Sequence, residues 1–426
     1  MPHIVILGTC DTKLQELLYL RSQILESNGL AKVTLVDAGR SPVKDDNITI
    51  AQDSLTSKYA PENEGSKDVS KLPRGEVINY MIACATNWLR EAYEQGLNDS
   101  RSAIHGVVGA GGTGNTALIS GVMRAVLPIG LPKLIVSTNA SADVSHVVGE
   151  TDIMMMPSIV DIAGNNELLR KILCNAAGAI VGMSQAYERS LANKDGADLG
   201  ERKKRVGLSM FGVTTPAVDT VRKYLEEKYP IECFVFHQTG AGGKAMERLV
   251  NEGGLDAVCD LTTTELCDHQ CGGVMDSGPY RLEAALKAGI PCVVSCGALD
   301  MCNFGPKNTV PEKYQDRKLY EHNPTVTLMR VNAEESRAIG QSIVNKIRAN
   351  TKDKSKVQVL LPLGGVSIIA TPDGPFYDAD ADEALFSTIK RGLGGSEITL
   401  AEDDRAINDH GFATDAAKRL VEMMQL

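Results

Sequence analysis

The sequence predicts an α/β protein built from two doubly wound, mostly parallel sheets, with a ligand cleft beyond their strand ends. Three observations lead there. Short β-branched runs that end in small or polar residues, each followed by a helical pattern, recur along the chain. The composition is 43% hydrophobic with 40 glycines and only 4% aromatics, which suits Val/Ile/Leu-rich parallel strands joined by tight turns. At 426 residues the chain exceeds one ordinary core, which predicts two domains.

Strand runs of the first half fall at 4–7, 32–36, 104–108, 134–137 and 152–156. Those of the second fall at 205–210, 233–236, 257–260, 291–295, 326–329 and 357–361. Between the halves, SLANKDGADLGERKKR is polar, charged and glycine-containing, the composition of an exposed linker. The expected organisation is therefore a domain at 1–193, a linker at 194–204 and a domain at 205–426. Residues 41–74, with Pro61, Pro73 and many charges, read as a surface excursion or flap, or as a loop without function. GVVGAGGTGNTALI and VFHQTGAGGKAME echo one another, either as a duplication or because βα units look alike.

Charge and cysteine usage remove several function classes. The net charge is −10, so no global basic field exists to hold a polyanion, and aromatics are too sparse for a base-stacking platform. Nucleic acid is not expected as a ligand. The ten cysteines are scattered, with Cys174, Cys233, Cys259 and Cys292 inside apolar stretches, as buried free thiols are in a reducing compartment. The chain starts directly in a strand, MPHIVILG, and no apolar run is long enough to cross a bilayer, so a cytoplasmic protein without a membrane partner is expected.

In open parallel sheets ligands sit beyond the C-terminal strand ends, where helix N-termini point their N–H groups outward. The first such loop is GTCDTK. Gly8 permits a sharp turn, Thr9 and Thr12 offer hydroxyls, Lys13 is a cation near the helix start, and Asp11 either caps the helix or touches a metal. Asp37 ends the second strand, where an acid can reach ribose hydroxyls; the first turn lacks G-x-G-x-x-G, so NAD is disfavoured. The third loop, GAGGTGNT, is the richest. Gly109, Gly111, Gly112 and Gly114 let backbone approach an anion, while Thr113, Asn115 and Thr116 supply donors. A structural glycine turn is the alternative, and no Gly-Lys-Ser/Thr closes a Walker A loop. STNASADV then offers Ser137, Thr138 and the acid Asp143, as a third wall of the crevice or as turn caps.

The second half carries FGVTTPAV, HQTGAGGKAME, DLTTTEL, SCGALDMCNFG, EHNP and LPLGGVS at strand ends, which suggests another crevice. Its titratable set is His237, Asp260, Glu265, Asp300 and His322, the candidates for a general acid or base; singly, each also reads as a cap or a satisfied polar residue. Cys267/Cys271 and Cys292/Cys296 have x₃ spacing and are not zinc knuckles. G-x-S-x-G, H-E-x-x-H and the kinase motifs are missing.

Taken in order with HNPTVTLMR, these motifs resemble the ATP-binding domain family typified by the tomato mosaic virus resistance protein, from Gly8 to the INDHGFA segment at Ile407. The resemblance implies two Rossmann-like subdomains, ATP with Mg²⁺ in the N-terminal part, and a homodimer. Asn115 and Ala142 stand where the family pattern has glycine, which narrows the space open to a phosphate. The combined expectation is an ATP-binding, Mg²⁺-dependent protein with phosphate held by the loops at Gly8 and Gly109, metal at Asp11 and Asp143, and a second small-molecule pocket. Two alternatives stand beside it. One is an enzyme acting on a small acidic metabolite through His237, Asp260, Glu265 and His322, and the other an interaction module stiffened by nucleotide.

Overall fold

Alternation along the first-half strands sends successive side chains to opposite faces of one sheet, and both faces are covered. In the computed structural model, which describes residues 1–196 and 202–426 and the side chains of all of these except 193–196, β1 (His3–Gly8), β2 (Lys32–Asp37), β3 (Gly106–Gly111), β4 (Lys133–Ser137) and β5 (Met154–Pro157) are parallel in the order β2-β1-β3-β4-β5. Val5, Leu7 and Val107 pack with α3 (Arg74–Asn98) and α4 (Thr113–Val126); Ile6, Val108 and Val136 pack with α1 (Cys10–Ser27) and α6 (Glu167–Gly196). Burial on both faces is why these strands read as nearly continuous apolar runs. The short helices α2 (Gln52–Lys58) and α5 (Ser145–Val148) complete this unit.

The second unit contains β6 (Lys204–Met210), β7 (Ile231–His237), β8 (Ala257–Thr262), β9 (Cys292–Gly297), β10 (Met301–Phe304), β11 (Leu319–Asn323), β12 (Val326–Arg330), β13 (Val357–Pro362) and β14 (Thr399–Asp403). Its main sheet is parallel, in the order β14-β13-β9-β8-β6-β7. Read from the other end, that is the order of the first sheet plus one strand. Helices α7 (Thr215–Lys228), α8 (Ala241–Asn251) and α9 (Glu265–Cys271) follow β6, β7 and β8. In each sheet the chain runs to one side and then returns, leaving a switch point at β1/β3 and at β6/β8, the place where open α/β sheets form crevices.

The chain divides into compact units at Met1–Leu199 and Gly200–Leu426. Of the stretch read as linker, 197–201 lie outside the described residues; 194–196 belong to α6, and Lys204 opens β6.

Several expectations need correction. Residues 326–329 are not part of a parallel βα unit: β12 pairs antiparallel with β10 and β11 in a separate three-stranded sheet. The link from β11 to β12 is a tight turn, held where Asn323 Oδ1 accepts from Thr325 N (2.9 Å), and parallel pairing would need a long crossover. Residues 41–74 are more than a surface excursion. They include α2 and bury Leu55 and Val69 in the core. The internal echo pairs β3–α4 with β7–α8, which occupy different places in the two strand orders, so similar βα units account for it. All ten cysteines are free; Cys174 is exposed despite its apolar neighbours, because it lies on the solvent face of α6.

Candidate functional site

At the β1/β3 switch point the loops leaving β1, β2 and β3 and the start of α3 line a cavity of about 550 Å³. One side is backbone. Gly112 is the N-cap of α4 and no side chain caps that end, so the first N–H groups of the helix are left for a ligand. An added Cβ on Gly112 would meet only Thr138 Oγ1, at 3.7 Å, so the approach is open there. Gly109 and Gly111 have another duty. A Cβ on Gly109 would lie 2.5 Å from Leu7 O and from Ile119 Cδ1, and one on Gly111 would lie 2.5 Å from Asn115 Nδ2. The structural and ligand readings of this loop therefore divide between its glycines.

Lys13, Arg40 and Arg74 bring positive charge to the cavity against Asp11 and Asp161. Three cations and two carboxylates leave one net positive charge in a chain of charge −10. Arg40 is fixed by donating to the carbonyls of Ser70 (2.7 Å) and Leu72 (2.8 Å). Lys13 and Arg74 make no side-chain hydrogen bond or ion pair among the described residues. Thr9 and Thr12 join through their hydroxyls (2.8 Å), and α1 is kinked at Lys13 (φ −135°, ψ 20°). Val77, Ile78 and Leu118 form an apolar wall.

Asp11 does not cap α1. Its Oδ2 accepts from Arg40 N (2.9 Å) and Ser41 N (3.1 Å), tying the β2 loop to the β1 loop. Its Oδ1 is buried and has no hydrogen-bond partner, as is Asn115 Oδ1, whose Nδ2 donates to Ala110 O (2.8 Å). Buried polar atoms are nearly always satisfied, so these two residues of the lining each keep an unmet acceptor just behind the cavity surface. Asp37 is fully buried outside the lining. Its Oδ1 accepts from Cys10 N and Gly39 N, both at 2.9 Å, and burial pushes its carboxyl above the usual range.

Thr116 of α4 and Ser137 of β4 are also buried, joined at 2.7 Å between helix and strand, and brace the cavity without lining it. Asp143 accepts from Ser145 N (2.9 Å) in the turn before α5 and is not part of the cavity wall. Gly8 supports the turn from below, since a Cβ there would strike Leu17. Sequence reasoning missed Arg40, Arg74 and the apolar wall. Arg40 follows a strand end and was within reach of the same rule, whereas nothing local marks Arg74 on the first turn of α3.

The second unit separates the residues expected to act together. Arg281, fully buried, donates to Asp260 Oδ1 and Oδ2 (2.6 Å each) and to Glu265 Oε2 (2.8 Å). Glu265 Oε1 accepts from Gly240 N (2.7 Å) and Gly243 N (3.1 Å), so the β7 and β8 loops close on one guanidinium. Burial pushes the Glu265 carboxyl upward although Arg281 opposes it. Asp300 is buried too, raised to about 6 by desolvation, and accepts from Ser367 Oγ (2.9 Å). His237 and His322, by contrast, come from β7 and β11 to line one cavity of about 230 Å³.

Comparison with known proteins matches both units. Residues 2–189 fit the N-terminal domain of the uncharacterised protein family UPF0261, and residues 203–424 fit its C-terminal domain. The chain belongs to UPF0261. A UPF0261 protein of Clostridium tetani is 40% identical over 99% of both chains. The ToMV resistance protein Tm-1(GCR237) of Solanum lycopersicum is 38% identical over 99% of this chain and 56% of its own length, and the ToMV susceptible protein tm-1(GCR26) of that plant is 37% identical with the same coverage. The resemblance read from the loop motifs to the tomato proteins thus holds along the UPF0261 chain.

Proposed function

We propose that the N-terminal unit binds ATP with Mg²⁺ in the β1/β3 crevice. The observation that carries this reading is the uncapped N-terminus of α4 facing a cavity that also receives Lys13 and Arg74. Backbone N–H groups and a helix dipole suit phosphate oxygens, and the volume lies within the range of nucleotide-sized pockets. The wall of Val77, Ile78 and Leu118 offers a place for the base. Asp11, a carboxylate of the cavity lining, is the residue suited to Mg²⁺ or its water shell; Asp143 does not line the cavity and is left out of this proposal. Mg²⁺ in nucleotide sites is bound by one or two carboxylates together with the phosphates, so Asp11 alone is enough for this proposal. When bound, the ion would neutralise phosphate charge.

Titration calorimetry with ATP, with and without Mg²⁺, tests this reading. Binding in the micromolar to millimolar range, weakened about ten-fold or more by Lys13→Ala with Arg74→Ala, is expected. No heat at concentrations on the order of millimolar would end it. A cytoplasmic homodimer belongs to the same proposal, and light scattering on the purified protein checks the dimer. A second reading, catalysis on a small acid by the C-terminal unit, is favoured by the meeting of His237 and His322 in one cavity.

A further inference from the structure

The His237/His322 cavity lies where β6, β7 and the antiparallel sheet meet. Its walls are Phe211, Val213, Met275, Val326 and Leu328, the polar Thr239 and Asn323 also line it, both histidines sit at its solvent-exposed side, and no Asp, Glu, Lys or Arg side chain lines it. Neither imidazole has a hydrogen-bond partner among the described residues; His237 only leans on the Phe211 ring, with centroids 5.6 Å apart. Each carries at least one N–H in either tautomer. The nearby carboxylates are committed elsewhere, Glu321 to Lys307 (2.8 Å) and Asp276 to His269 (3.1 Å). Gly212, which precedes α7, also lines the cavity.

We propose that this cavity binds a small carboxylate with an aryl or branched-alkyl tail, the tail against the apolar walls and the carboxylate between His237 and His322. Size supports the class. An apolar cavity of about 150 Å³ accepts benzene, so about 230 Å³ holds a ligand of roughly nine non-hydrogen atoms, a ring or branch with its carboxylate. A cation finds no acidic partner in the lining, and a fully polar ligand would leave its groups unpaired against five apolar side chains. The inference does not depend on nucleotide binding in the other unit, which gives an independent readout.

The experiment uses the full chain and calorimetry with phenylacetate, 3-methylbutanoate, phenylacetamide and 2-phenylethanol as probes. Phenylacetate should bind at least ten-fold more tightly than the amide or alcohol, since charge-assisted hydrogen bonds are about twice as strong as neutral ones. His237→Ala with His322→Ala should remove that preference. ATP titration of that variant, and phenylacetate titration of Lys13→Ala with Arg74→Ala, keep the two sites apart. Equal affinity for acid and amide, unchanged acid binding in the double histidine variant, or no probe bound to the wild-type protein at about 10 mM would each overturn the proposal.

Discussion

Replacing Arg281 by methionine removes the one cation that the β7 and β8 loops share while keeping much of its aliphatic bulk. The guanidinium is fully buried and makes two 2.6 Å bonds to Asp260 and one of 2.8 Å to Glu265, both of whose carboxylates are also buried. Removing one member of a buried ion pair costs about 3–5 kcal/mol, because the partner charge stays behind in a poor solvent. Here three carboxylates stay behind, Asp260, Glu265 and, at 3.4 Å, Glu247, so the upper end of that range is expected at neutral pH. The loss should shrink on acidification. Glu265 already has a folded pKa above its unfolded value, and without Arg281 it rises further. An acid shifted upward destabilises the fold fully above its folded pKa and not at all below its unfolded pKa of about 4.3, so the deficit falls as pH drops from neutrality toward that value. Urea unfolding followed by far-UV circular dichroism measures it; the single tryptophan, Trp88, lies in the other unit and reports that unit separately. Adding Asp260→Asn and Glu265→Gln to Arg281→Met should restore part of the loss. A cost below about 1 kcal/mol for the single variant, or a deficit that grows on acidification, would refute the reasoning.

Asp268 supplies a second pH test. It is buried and pushed up to about 7, with desolvation the main cause, while accepting from Asn303 Nδ2 (2.7 Å). Its unfavourable charge is absent below its unfolded pKa and grows through the folded value, so melting temperature should fall between about pH 4 and pH 7, and Asp268→Asn should flatten that slope. Asn303 Oδ1, now without a partner, can accept from the new amide after a flip. Gly109→Ala should cost about 1–3 kcal/mol by overpacking β3 against Leu7 O and Ile119, read from Trp88 fluorescence during denaturation. Asp11→Asn should weaken Mg²⁺-dependent ATP binding and Asp143→Asn should not, a contrast that magnesium titration checks directly; equal effects would remove Asp11 from the metal proposal.

How much was legible differs between fold and site. The strands at 4–7, 32–36, 134–137 and 205–210 showed themselves because burial on both sheet faces forces uninterrupted apolar runs. β10 and β11 did not. MCNF sits inside a loop-like stretch, and LYEHN is mostly exposed and carries no apolar alternation, since its strand character comes from pairing with β12.

Sequence by itself determined that this is a two-unit α/β protein with polar, glycine-rich turns at its strand ends, because strand periodicity and turn chemistry are local properties of the chain. Only the tertiary structure decided what those turns do. Asp37, Thr116 and Ser137 became braces, and Asp260 and Glu265 became partners of an arginine from a later segment. Arg74 and His322 were carried to cavities by α3 and by the antiparallel sheet. Charge pairing and cavity walls depend on residues far apart in sequence, and strand order, which no single segment encodes, sets their distances.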